Sequence, residues 1–169
     1  MSERIKKRMT QWGVGPKFTF ICISYAVVIV LINAIFFPAL TIPIPRILAL
    51  VLGLILIIIG VPIFLIPGST IHKYFNEGKL ATKGVYAYFR HPIYGSWIVF
   101  IVPGIVLIFN FLLGLTVPIF MYVVFKVLIK EEEEYLEKKF GEEYFEYKSE
   151  VGSIFPKFSK LFRPGDRDE

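Results

Sequence analysis

Four long apolar stretches, with Lys126 near the end of the last as their only charged residue, dominate the chain. Phe18–Phe37 has Thr19, Ser24 and Asn33 as its polar interruptions, and Ile47–Ile66 is almost entirely Leu, Ile, Val and Gly. Ile93–Phe109 and Phe111–Ile129 follow, separated by Asn110. No Asp, Glu or Arg lies within any of them, and Lys126 stands near the end of the last. A helix crossing a hydrocarbon core needs roughly 17–25 predominantly apolar residues, whereas a helix of a soluble domain needs a polar face. The pattern therefore predicts an all-α, polytopic membrane protein with four transmembrane helices.

Proline and glycine punctuate this pattern. Pro38, Pro43 and Pro45 predict a stiff, extended turn after the first span. Pro62 and Pro67 fall near the end of the second span, and Pro103 and Pro118 fall inside the third and fourth. Gly53, Gly60, Gly95, Ser96, Gly104 and Gly114 offer small surfaces for close helix approach. The short break at Asn110 predicts a tight antiparallel hairpin, which returns the segment after Lys126 to the membrane face of Lys83–Tyr94. Glu131–Glu134 opens a charged helix running through Leu136 and Phe140, and Gly141 is expected to end it. A second helix then carries Tyr144, Tyr147 and Val151 on one face and should lie back over the protein or the interface.

Composition sharpens the picture at one point. Of 169 residues 55% are hydrophobic and only 20% are charged, and the charges cluster at the two ends and in one central loop. Met1–Lys17 holds five basic residues, Gly68–Arg90 four and the segment from Lys126 onward nine, against Arg46 alone in the first turn and none at Asn110. The positive-inside rule then predicts both termini and the central loop on the cytoplasmic side. The first span is too long for the apolar region of a cleavable signal. The net charge of +5 follows from this asymmetry and adds attraction to anionic membrane lipids. The basic residues form no single stripe, so no nucleic-acid partner is expected. Cys22 is the single cysteine, and two histidines lie too far apart in sequence to suggest a zinc site. The chain divides into 1–67, the basic segment with two spans, and 68–169, which holds the polar chemistry.

That chemistry sits in two segments. Gly84-Val85-Tyr86-Ala87-Tyr88-Phe89-Arg90-His91-Pro92-Ile93-Tyr94 places an Arg–His pair at the mouth of the third span, with Pro92 at a preferred first-turn position. Glu131–Glu134 stands at the exit of the fourth. A cationic pair facing carboxylates suits a zwitterionic amino-acid group, because guanidinium forks a carboxylate and a carboxylate accepts from ammonium. Singly, each charge reads equally as a snorkelling or capping residue. No glycine-rich dinucleotide fingerprint is present.

In order and spacing, these residues resemble the isoprenylcysteine carboxyl methyltransferases. The resemblance comprises the Gly84–Tyr94 motif, the acidic run, Phe140-Gly141-Glu142-Glu143-Tyr144 with Tyr147, then Val151 and Pro156. Membrane phospholipid methyltransferases show a looser version of it. It implies an S-adenosyl-L-methionine site between the last two spans and the C-terminal helices. Tyr86, His91, Pro92, Ile93 and Tyr94 would line that site, with Leu80 and Ala81 contributing just upstream. Glu132 matches the family's cofactor-binding glutamate, Glu133 its partner and Arg90 an essential arginine; Arg90, Glu132 and Glu133 are thus the candidate catalytic residues. Arg90 and His91 are assigned toward a carboxylate and Glu132 toward the donor's ammonium, while Glu137 is expected to lie outside the site. Leu128 stands where eukaryotic members carry an arginine implicated in substrate contact.

The resemblance further implies methyl transfer to the carboxylate of a prenylated cysteine or similar lipophilic acceptor entering from the bilayer. An ionised carboxylate needs no general base, so alignment and electrostatic support would suffice. Phospholipid N-methylation is the alternative within the class, and a sterol-reductase-like oxidoreductase the alternative outside it.

Overall fold

The structure, a computed structural model, describes residues 13–157, with backbone only at 69, 70, 72, 73 and 75. The basic residues Arg4, Lys6, Lys7 and Arg8 and the tail from Phe158 onward lie outside the described residues. Five helices carry the fold: α1 (Gly15–Phe36), α2 (Arg46–Glu77), α3 (Pro92–Phe109), α4 (Thr116–Phe140) and α5 (Glu142–Glu150). Four segments are long and apolar enough to cross a membrane: Gly15–Phe36, Arg46–Gly68, Pro92–Phe109 and Leu112–Phe140. Phe20 is 75% exposed and Ile47 77%. Side chains of that kind left uncovered along whole helix faces find their apolar partner in lipid. The chain is an all-α integral membrane protein, as its apolar pattern predicts.

The second helix runs beyond the span expected for it. α2 continues through Pro62 and Pro67 to Glu77, so the expected central loop is helical from its start at Gly68 to Glu77. Within a membrane helix the freed carbonyl finds other partners, and proline does not stop the chain. In α3 the six residues Ser96–Ile101 form a π-helical turn that ends just before Pro103. That widened turn accommodates the ring, which would otherwise crowd the carbonyl four residues back. Asn110 takes the left-handed conformation (φ 54°) and ends α3. A single 3₁₀ turn, Leu112–Leu115, leads into α4. The predicted charged helix is a direct extension of the fourth span rather than a separate element.

Small residues set the helix contacts. A β-carbon on Gly53 would stand 2.7 Å from the Gly104 carbonyl oxygen, and one on Gly104 would stand 2.8 Å from that of Gly53. Gly60 likewise admits Phe100 and Ile101. α2 and α3 therefore meet backbone to backbone, the approach that dispersion favours where lipid removes the hydrophobic drive. α1 packs on α4 through Phe18, Cys22, Val117, Met121 and Phe125, and Tyr25 donates to Thr116 Oγ1 at 3.2 Å. Cys22 is a buried free thiol.

Gly141 (φ 56°) turns the chain from α4 into α5. α5 folds back on Leu80, Leu136 and Phe140, burying Tyr144 and Val151 to 1% exposure. Each large apolar side chain so covered contributes about 1.5–3 kcal/mol. Beyond α5 the chain pairs in parallel with the Gly84–Tyr94 motif. Arg90 N–H donates to the Gly152 carbonyl at 2.8 Å and His91 N–H to that of Ser153 at 3.0 Å. These contacts fix the motif against the C-terminal segment.

Candidate active site

One helix deals its four consecutive glutamates to different tasks, because successive residues on an α-helix are turned by roughly 100°. Glu131 faces outward and pairs with Lys17 at 2.9 Å in the open. Glu134 is exposed. Glu132 and Glu133 turn inward, toward different partners.

Glu133 is locked into the protein. Its Oε1 accepts from Arg90 Nη2 at 2.8 Å, and its Oε2 pairs with Lys148 Nζ at 2.8 Å. His91 Nε2 approaches the same Oε1 at 3.3 Å. Arg90 Nη1 donates to the Lys148 carbonyl at 2.9 Å, while its Nε is buried with no partner among the described residues. Lys148 also reaches Glu137 Oε1 at 2.7 Å. Burial is the largest single influence on the Lys148 ammonium and lowers its pKa. The hydrogen bonds to Glu133 and Glu137 outweigh it, so the net shift is upward. A raised lysine contributes below its unfolded pKa and is lost only above its folded one. This clamp therefore holds throughout neutral pH. Glu137, expected to lie outside the site, is one of its jaws.

Glu132 is the other kind of carboxylate. Its Oε2 accepts from Tyr94 Oη and from the Val14 backbone N–H, both at 3.3 Å. His91 Nδ1 lies 3.6 Å from its Oε1, too far for a hydrogen bond. Among the described residues no lysine or arginine pairs with it. Burial first, and the Glu132 charge second, push the Tyr86 hydroxyl well above the usual phenol range. Tyr147 Oη donates to the Tyr86 carbonyl at 2.6 Å and holds that turn in place.

Glu132 looks into a cavity of about 1510 Å³. Leu80, Ala81, Tyr86, Arg90, His91, Pro92, Ile93 and Tyr94 all border it, and Glu133 does not. The sequence-predicted residues are thus brought together, divided between a wall and the clamp behind it. The walls also include one face of α1 from Gly15 through Phe18, Cys22 and Ala26 to Asn33, together with Tyr144 and Tyr147. At 1.5 Å per residue, that face of α1 runs roughly 27 Å, close to the depth of a hydrocarbon core. Sequence reasoning missed α1 altogether. Its apolar residues carry no mark distinguishing a cavity wall from a lipid-facing surface.

The architecture is that of a multi-spanning membrane protein whose cavity has a charged pole at one end and apolar helices along the rest. The chain belongs to the isoprenylcysteine carboxyl methyltransferase (ICMT) family, whose sequence profile matches residues 47–138. A protein-S-isoprenylcysteine O-methyltransferase of Xenopus laevis is 35% identical over 117 residues, covering 63% of this chain and 40% of that protein. The Homo sapiens protein of the same name is 39% identical over 77 residues, covering 46% of this chain and 27% of that protein. A Schizosaccharomyces pombe counterpart is 35% identical over 81 residues, or 48% of this chain and 34% of its own length. The chain thus spans well under half the length of these curated relatives. They favour neither the phospholipid nor the reductase alternative.

Proposed function

We propose that this protein is an S-adenosylmethionine-dependent methyltransferase that esterifies the carboxylate of a lipophilic acceptor, such as a prenylated cysteine. The observation that carries the reading is Glu132, a carboxylate with which no lysine or arginine among the described residues pairs, at the polar end of a long apolar cavity. In the tautomer that donates Nε2–H to Glu133, His91 Nδ1 is an acceptor. It then faces another acceptor, Glu132 Oε1, across 3.6 Å. Two acceptors so placed fit one N–H donor supplied by a ligand, and an ammonium brings three. The donor's amino-acid end has such a group, so the residues present fit it.

When bound, the cofactor supplies a methyl group on a sulfonium centre. The chain's own residues bind, orient and exclude water. Glu132 and His91 Nδ1 would receive the ammonium, with Tyr94 and the Val14 N–H keeping Glu132 in place. Leu80, Ala81, Pro92 and Ile93 shield the same pole from water, which strengthens every charge interaction there. The remaining apolar wall suits an aliphatic chain, and an ionised acceptor carboxylate needs no proton removed.

Calorimetric titration with S-adenosylhomocysteine and methyl transfer to N-acetyl-S-farnesylcysteine test the reading together. Stoichiometric binding is expected, and the acceptor itself should add no pH dependence to the rate across roughly pH 6–8, since an α-carboxyl of reference pKa about 3.3–3.7 is ionised throughout. Transfer to phosphatidylethanolamine alone, rising about tenfold per pH unit as the amine deprotonates, would move the protein to the phospholipid alternative. No binding at all would defeat both.

The same reading places the charged pole, both termini and the segment around Lys79 in the cytoplasm, where a soluble donor is found. In a Cys22→Ser background, a cysteine substituted for Lys79 should react with an impermeant maleimide only after the membrane is opened. Labelling from outside intact cells would reverse the orientation.

A further inference from the structure

The Glu132 carboxylate is held from the far end of the chain. Val14, 118 residues away in sequence, is 3% exposed, and its backbone N–H donates to Glu132 Oε2 at 3.3 Å. This N–H belongs to the residue that caps α1, at the helix N-terminus, where the helix dipole favours an anion. Immediately before it, Gly13 adopts φ +52°. A β-carbon on Gly13 would fall inside contact distance of Glu132 Oε2 and 2.8 Å from its Cδ. The carboxylate thus fills the space that any side chain at 13 would need. Lys17, three residues beyond Val14, pairs at 2.9 Å with Glu131, the immediate neighbour of Glu132, and so joins the same two segments.

Resting on the methyltransferase reading above, we propose that the Gly13–Val14 turn is the positioning element of the donor site. Gly13 leaves room for the Glu132 carboxylate and Val14 N–H fixes its direction, so that Oε1 remains turned toward His91. Both residues precede the 47–138 family match. Neither touches the ligand in this scheme; they act through Glu132. Because the colliding atoms are the free end of a flexible side chain, a methyl group at 13 would displace the carboxylate rather than the helix.

Gly13→Ala should weaken S-adenosylhomocysteine binding about ten- to a hundredfold, the scale of a lost hydrogen bond to a charged group. The KM for the prenylcysteine acceptor, measured at saturating donor, should stay within about twofold. Gly78→Ala is the control for backbone strain. Gly78 has φ +68° with nothing within 4 Å of a β-carbon, and its substitution should leave donor affinity unchanged. In a Glu132→Asp background, where the carboxylate is drawn back by one methylene, Gly13→Ala should cost less than about threefold. The inference is overturned if Gly13→Ala binds like wild type, or if it weakens binding by the same factor in both backgrounds. If the wild-type protein binds no donor analogue, the methyltransferase reading itself fails, a result distinct from either.

Discussion

Replacing Glu132 with alanine should reduce S-adenosylhomocysteine affinity by roughly two to three and a half orders of magnitude, the largest single effect expected at this site. Removing one member of a desolvated ion pair costs roughly 3–5 kcal/mol, because the remaining charge stays buried without its partner. Here that remaining charge would be the ligand's ammonium. Glu132→Ala also frees Tyr94 Oη and the Val14 N–H, both of which donate to this carboxylate. The matched control is Glu134→Ala, two residues on and exposed. Glu137 is unsuitable for that purpose, since it holds Lys148 at 2.7 Å. Calorimetry on the detergent-solubilised protein reads the difference directly. Equal affinity in wild type and Glu132→Ala would remove this carboxylate from the site.

What the sequence revealed and concealed follows from the range of each interaction. The four spans were legible because each needs only its own run of apolar residues. The hairpin at Asn110 followed from the shortness of the break, and it correctly placed Arg90 and His91 beside the glutamates. The length of α2 beyond Pro67 was not legible, because its helical extension to Glu77 leaves the apolar run that marks a span. The run Glu131–Glu134 announced a site, but only the family resemblance, and not the residues themselves, singled out Glu132 and Glu133. Which carboxylate meets the cavity depends on helix phase against α3 and α5, information absent from four identical letters. Lys148 was hidden differently. On an amphipathic helix it reads as one more solvated charge, and only the docking of α5 turns it onto Glu133. Gly13 was least legible of all. A glycine between Trp12 and Val14, just ahead of a span, carries no signal, and its role depends on a side chain more than a hundred residues away.

Arg90 provides the second large effect, on the scaffold before the chemistry. Its side chain is 9% exposed and that of Glu133 13%, and two of its nitrogens are already taken by Glu133 and the Lys148 carbonyl. Arg90→Ala would leave the Glu133 charge short of a partner and the Lys148 carbonyl with only the Lys157 ammonium, at 3.2 Å, as its donor. The expected cost is roughly 3–5 kcal/mol, or a thermal midpoint about 10 °C lower in detergent, with faster proteolysis near Gly141. Arg90→Lys should recover part of this, since a point charge reaches Glu133 but cannot fork to the carbonyl as well. Glu133→Gln should resemble Arg90→Ala in stability while retaining more donor affinity than Glu132→Ala, because Glu133 does not border the cavity. The double variant Arg90→Ala, Glu133→Gln should be less destabilised than the sum of the singles by roughly 1–3 kcal/mol, the coupling expected of residues in direct contact. Strict additivity of the two would show that the pair does not act as a unit. Wild-type stability in Arg90→Ala with activity abolished would assign the guanidinium to the reacting groups instead of to the clamp.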